Sequence, residues 1–181
     1  MTVPPYAVAY GMYSSPFSLT PADPPLVTQI AVSYSADRFN ARGLHAVAFA
    51  LIGAIGFMAS ALLPLDAYRH RYGCLIVAAT GSFSCIAPLL GWLTSNVHST
   101  ASVGLAIAIN VSIGAGIGMI PGVWIYKDEE RDRGFPTGHW VNAAMLFLVV
   151  AGAVGLRLLY GYRNRKLLKE TNGQEVRLYK L

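Results

Sequence analysis

Charged residues are absent from Tyr72 through Tyr126 and again from Gly43 through Leu65. Those runs and a further apolar stretch give four segments long enough to cross a bilayer: Leu44–Leu63, Tyr72–Leu93, Ala101–Tyr126 and Trp140–Tyr160. Each is rich in Ala, Gly, Leu, Ile and Val, and none holds an acidic residue. About 20 such residues span roughly 30 Å of hydrocarbon as a helix, which satisfies its own backbone hydrogen bonds where water cannot. Aromatic rings stand at many of the ends (Tyr68, Tyr72, Trp92, Trp124, Tyr126, Trp140, Tyr160 and Tyr162), as expected where amphipathic rings meet lipid headgroups. Arg157, one turn inside the last segment, is placed to snorkel outward. The pattern predicts an all-α, multi-pass membrane protein whose residues 44–160 form a four-helix bundle.

Residues 1–36 are less regular. Thr2–Tyr10 and Ile30–Ala36 are apolar but too short to cross alone. Between them, Gly11–Gln29 carries Pro16, Pro21, Pro24, Pro25 and Asp23 and reads as loop. Without residues 11–29 the two apolar pieces join into one run ending at Asp37–Arg38, a fifth helix broken by an irregular insert. An unspliced intron translated in frame would produce such an insert.

Composition narrows the class. Hydrophobic residues make up 54% of the 181 residues and charged residues 13%, against about 25% charged in soluble domains. The length holds four or five spans. The net charge is +5, yet the basic residues gather after the last span and no basic groove interleaved with aromatics occurs, which excludes nucleic acid as a partner. The first basic residue is Arg38, so no positive segment precedes an apolar one in the manner of a secretory signal. Cys74 and Cys85 fall on nearly one helix face about 16 Å apart along the axis and read as packing residues. Lys and Arg on the flanks (Arg38, Arg42, Arg157, Arg163, Arg165, Lys166, Lys169, Arg177, Lys180) outnumber those on the other side (Arg69, Arg71, Lys127, Arg131, Arg133). That bias predicts cytoplasmic flanks and a basic cytoplasmic tail over residues 161–181.

Two constellations stand out. In the loop at residues 37–43, Asp37 and Arg38 precede Arg42 and Gly43. An acidic group at a helix end paired with basic groups can clamp neighbouring helices, or be a solvated turn. In the third span Asn110, Gly114, Gly118 and Gly122 recur every four residues and form one stripe. Its glycines predict close helix packing, and Asn110 reads either as an interhelical hydrogen-bonding group or as a substrate contact. Pro121 predicts a kink there. Gly81, Ser82, Ser84, Pro88 and Gly91 weaken the second span, which reads either as a hinge candidate or as the ordinary tolerance of Pro and Gly in a membrane helix. His45, His70, His98 and His139 lie at span ends or in loops, and no metal, nucleotide or catalytic signature occurs. The reading is therefore not an enzyme, with no cofactor and no metal.

The sequence Asp37-Arg-Phe-Asn-Ala-Arg-Gly43 resembles the cytoplasmic loop motif of major facilitator transporters. Taken with Thr2-Val-Pro-Pro-Tyr6, Pro88-Leu-Leu-Gly-Trp-Leu-Thr-Ser-Asn-Val97, the small-residue helix Ala106–Gly122, Tyr126-Lys-Asp128 and Gly138-His139, it resembles the C-terminal half of fungal members of the allantoate permease, or anion:cation symporter, group. The resemblance implies that the broken helix is the eighth and the four complete spans the ninth to twelfth of twelve. It implies transport of a small organic anion such as allantoate, nicotinate or pantothenate, coupled to protons, in the plasma membrane. Trp92, Asn96 and Asn110 become substrate-cavity candidates. A Lys–Arg pair usual in the loop before the eleventh helix is replaced here by Ser102 and Val103. On this reading an N-terminal half is missing and the chain is a truncated transporter, inactive alone. The alternative is a small four-span membrane protein whose role is assembly.

Overall fold

The computed structural model describes residues 24–97, 99–170 and 178–180, with side chains apart from 24–27 and 115–123. Thr2–Tyr10, most of the insert at 11–29, and the side chains of Gly118 and Gly122 lie outside the described residues. The elements are α1 (Pro24–Arg38), α2 (Arg42–Leu62), α3 (Tyr68–Ser84), α4 (Ile86–Asn96), α5 (Thr100–Trp124), a 3₁₀ helix (Asp128–Arg133) and α6 (Pro136–Glu170). Among the described residues, Arg42–Leu62, Tyr68–Asn96 and Pro136–Glu170 are long and apolar enough to cross a membrane, and Thr100–Gly114 is a shorter apolar stretch. The chain is an all-α membrane bundle.

α1 begins inside the segment read as loop: Pro24–Gln29 forms its first turns. Proline is tolerated there because the first helical amides have no intrahelical partner and its fixed φ already suits a helix. α1 stops at Arg38, and Asn40 turns the chain with φ 49°.

α2 is the centre of the bundle. Its buried positions are Gly43, Ala46, Ala50, Gly53, Ala54, Gly56, Phe57 and Ser60, a helical stripe of mostly small side chains. That stripe lets α2 pack most extensively against α3 and α6. Gly56 meets the Ala78 backbone and Gly53 meets Ser82 and Leu146. Phe57, Ala78 and Ala143 form the core, with Met58, Leu75 and Leu146 against them. Large apolar side chains such as Ile52, Ile55, Val77, Leu148 and Leu158 point outward, as a lipid-facing surface requires.

The second apolar segment is a single helical run, Tyr68–Asn96, with an irregularity at Cys85. Pro88 has no amide hydrogen and crowds the carbonyl four residues back; the ladder is perturbed at Cys85, where α3 passes into α4, yet Cys85 keeps helical φ and ψ and its amide still donates to the Gly81 carbonyl at 3.3 Å. α5 runs through Pro121 to Trp124 and packs mainly on α4. A Cβ on Gly114 would meet nothing within 4 Å, so at this position of the expected glycine stripe no described helix approaches. Among the described residues, the close backbone approaches at glycine join α2 and α3.

At the end opposite the 37–43 loop, Gly134 (φ 74°) and Phe135 (φ 57°) turn the chain from the 3₁₀ helix into α6. The Arg71 guanidinium donates to the Gly134 carbonyl at 2.7 Å. α6 has 35 residues, about 52 Å at 1.5 Å per residue. It therefore outruns the hydrocarbon, and Gly161–Glu170, read from sequence as the start of a tail, continues the helix.

Candidate functional site

The 37–43 loop builds a three-way junction. Arg42 Nε lies 2.6 Å from Asp37 Oδ1 at the end of α1, and Arg42 Nη1 donates to the Gly91 carbonyl of α4 at 2.7 Å. Arg42 itself opens α2, so one guanidinium fork joins three helices. Beside it, the His45 Nδ1–H donates to the Ala41 carbonyl and Nε2 accepts from the Ser35 hydroxyl, both at 3.0 Å. A carbonyl can only accept, which fixes this tautomer. Arg38 is exposed, with no ion pair to another described residue. Gly43 makes room for the indole of Trp92: a Cβ there would lie 3.3 Å from the ring.

Trp92 opens onto a cavity of about 420 Å³ between α4, α5 and α6. Ile86, Leu89, Leu90 and Leu93 of α4 face Val149, Gly152, Ala153 and Leu156 of α6 across it. Its polar groups are Trp92, Asn96, Asn110 and Tyr160. The three residues singled out from sequence as cavity candidates thus line one space. Asn110 is exposed, and no hydrogen bond joins it to another described residue. Asn96 caps α4 by donating to the Trp92 carbonyl at 3.0 Å. Tyr160, read from sequence only as a belt aromatic, meets Trp92 edge-on with ring centroids 5.8 Å apart.

Sequence reasoning missed the far side of this site. Asn164, a single amide among Arg163, Arg165 and Lys166, is buried and binds the backbone of Tyr179. A lone uncharged polar residue within a basic helical run was its only signal. Arg157, read as snorkelling, is half-buried; its Nη1 has no solvent contact and no hydrogen-bond partner among the described residues. It lies one turn from the cavity residues Ala153 and Tyr160. Among the described residues no cluster of His, Cys, Asp and Glu could hold a metal.

Comparison with known proteins gives one relative of high similarity. Over 181 residues, 99% of this chain, the sequence is 61% identical to the MFS transporter prlL of a fungus (Fungal sp., strain NRRL 50135). The chain spans about a third, 33%, of the length of that relative. No family model matches the sequence, and no solved structure matches it.

Proposed function

We propose that this chain forms the C-terminal bundle of a secondary transporter of the major facilitator type and supplies one wall of the path for a small organic anion. The observation that carries the reading is the cavity between α4, α5 and α6, in a chain similar along its whole length to part of an MFS transporter. Small-molecule sites commonly enclose about 300–1,000 Å³ of mostly apolar wall with a few placed polar groups. The Trp92 indole, the Asn96 and Asn110 amides and the Tyr160 hydroxyl are such groups. The half-buried Arg157, whose Nη1 is shielded from solvent, lies a turn away and adds positive charge near the region, which favours an anion.

The irregularity at Cys85, above Pro88, is where the α3–α4 run could flex during alternating access. α3 packs on α2 through close glycine contacts, and α4, held to α2 at the Arg42–Gly91 and Gly43–Trp92 contacts, faces α6 across open space. Transporters of this kind rock one bundle against another around a central site. Proton coupling, the allantoate-like substrate range, plasma-membrane residence and a cytoplasmic tail belong to this reading as well. The test is uptake of radiolabelled carboxylates by vesicles holding this chain co-expressed with the remaining part of a related transporter. Saturable, gradient-driven uptake lost in Asn110→Ala supports the proposal, and absence of uptake for every carboxylate tried rejects the anion assignment.

A second reading rests on α5. Leu105, Ile109, Val111 and Ile113 are exposed there, and α5 packs mainly on α4. An assembly protein would use that face for a second copy. A stable homo-oligomer in detergent, without transport, favours it.

A further inference from the structure

Residues 178–180 do not trail away from the bundle. They lie across the end of the cavity between α4 and α6, and their backbone is bound by side chains from both helices. Asn164 of α6 takes Tyr179 at both polar atoms: the Tyr179 amide donates to Asn164 Oδ1 and Asn164 Nδ2 donates to the Tyr179 carbonyl, each at 2.8 Å. Asn96 of α4 takes Lys180 in the same way: the Lys180 amide donates to Asn96 Oδ1 at 2.8 Å and Asn96 Nδ2 donates to the Lys180 carbonyl at 3.2 Å. Trp92 Nε1–H donates to that same carbonyl at 2.8 Å. The Tyr179 ring stacks flat on Tyr160, with centroids 5.0 Å apart and planes 2° from parallel.

Both amides and both carbonyls of two consecutive residues are therefore satisfied by side chains, with the Tyr179 pair and the Trp92 bond partly buried. The arrangement also links two helices that make little direct contact across the cavity. Three of its anchors, Trp92, Asn96 and Tyr160, are cavity residues. With the segment seated, the single indole donor of Trp92 is occupied. The Asn96 amide has its oxygen bound by Lys180 and its nitrogen shared between the carbonyls of Trp92 and Lys180. Every N–H donor of Asn96 and Trp92 is then engaged, so neither can donate to a ligand in that state.

We propose that residues 178–180 are an internal latch: seated, they close this end of the cavity and hold α4 to α6, and a ligand that uses Asn96 or Trp92 must displace them. The cavity's role as a ligand path rests on the function proposed above; closure by the latch does not. Displacement costs affinity in proportion to the fraction of time the latch is seated. Four of the six latch contacts are made to backbone by the two asparagines, so the latch depends on its place more than on its sequence, with Tyr179 as the one side chain recognised.

Asn164 binds the latch without lining the cavity, which separates the two roles. The test measures the rate at which a membrane-impermeant maleimide labels a thiol introduced by Ala153→Cys, a buried cavity position about 10 Å along α6 from Tyr160. The chain is reconstituted in lipid vesicles in a Cys74→Ala background, with the buried native Cys85 kept as a packing control. Adding Asn164→Ala, or removing residues 178–181, is expected to speed labelling on the order of tenfold while Cys85 stays unlabelled. Tyr179→Ala is expected to act in the same direction. Unchanged labelling in Asn164→Ala and in the deletion overturns the proposal. An equal rise at Cys85 overturns it too, because it marks loosened packing instead of an opened cavity. No substrate enters the measurement, so a failed transport assay and a failed latch are told apart.

Discussion

Gly81 of α3 and Gly53 of α2 meet backbone to backbone: a Cβ built on Gly81 would stand 2.5 Å from the Gly53 amide nitrogen and 2.7 Å from the Phe49 carbonyl oxygen. Neither neighbour is a flexible side chain that could swing aside. In lipid, helices gain nothing from hiding apolar surface that the acyl chains would cover equally well, so close van der Waals contact carries the association. This crossing is therefore where the bundle is most sensitive to added volume.

Gly81→Ala is expected to force α2 and α3 apart and to cost about 1–3 kcal/mol, the usual range for overpacking. Gly114→Ala is the matched control. A Cβ there meets nothing, and replacing glycine by alanine favours the helix by up to about 1 kcal/mol. Thermal denaturation in detergent, followed by loss of the monodisperse chromatographic peak, should show Gly81→Ala melting lower than the parent chain and Gly114→Ala no lower. Equal melting of the two variants would remove the crossing as the sensitive point.

The Arg42 junction predicts an asymmetry between its two bonds. The Asp37 side chain is 59% exposed and that of Arg42 28%, so the ion pair is solvent-screened and worth at most about 1 kcal/mol. The bond to the Gly91 carbonyl is charge-assisted and ties α4 to α2; such bonds are worth about 1.5–3 kcal/mol. Asp37→Asn is therefore expected to change stability little, and Arg42→Ala to destabilise clearly. Arg42→Lys should recover little, because a single ammonium cannot reach both acceptors in the geometry of the fork. Urea or heat denaturation of the three variants checks the order, and a larger loss in Asp37→Asn than in Arg42→Ala would invert it.

Much of this architecture is legible in the sequence because the bilayer imposes a single period and a single length. Charge-free runs mark the membrane helices, and the order Asp37, Arg42 marks the junction. What escaped has physical reasons. Pro24–Gln29 looks like loop because proline density is the same signal in a turn and in the first turn of a helix. The four-residue spacing of Gly114, Gly118 and Gly122 is conspicuous in the sequence, and of these only Gly114 is described, with open space beside it. The contact the structure displays joins Gly53 and Gly56 of one helix to Gly81 and Ala78 of another, and no single-helix pattern reveals a pairing between helices. Gly91 entered only as a helix-weakening residue, since its role is that of a carbonyl. The seat of residues 178–180 was invisible because those residues are bound chiefly through backbone, which carries no sequence signature.

Arg157 offers a prediction of opposite sign. Its Nη1 is shielded from solvent without an acceptor among the described residues, and an unsatisfied buried donor costs about 1–3 kcal/mol, more when charged. Arg157→Met keeps the length and apolar stem while removing that donor. It is expected to leave melting unchanged or to raise it. A marked fall would mean that the guanidinium has an acceptor in lipid, such as a headgroup phosphate, and that its stability contribution is favourable.

Glu130 is the last case, and it concerns how α6 begins. The first amides of a helix lack intrahelical acceptors. At α6 the carboxylate of Glu130 fills that need from outside the helix: Oε2 accepts from the Thr137 amide at 3.1 Å and Oε1 from the Thr137 hydroxyl at 2.5 Å. Its negative charge also faces the positive end of the helix dipole. The left-handed Gly134 and Phe135 fold the 3₁₀ helix back so that this carboxylate can reach. Losing a helix cap costs about 0.5–2 kcal/mol. Glu130→Ala should therefore lower the melting temperature and raise hydrogen exchange at the first turns of α6 ahead of its middle. Glu130→Gln keeps one acceptor oxygen and loses the charge, and is expected to fall between the alanine variant and the parent. Exchange that rises uniformly along α6, or a glutamine variant no better than alanine, would show that the 3₁₀ turn and its backbone bonds, rather than the carboxylate, fix the start of the helix.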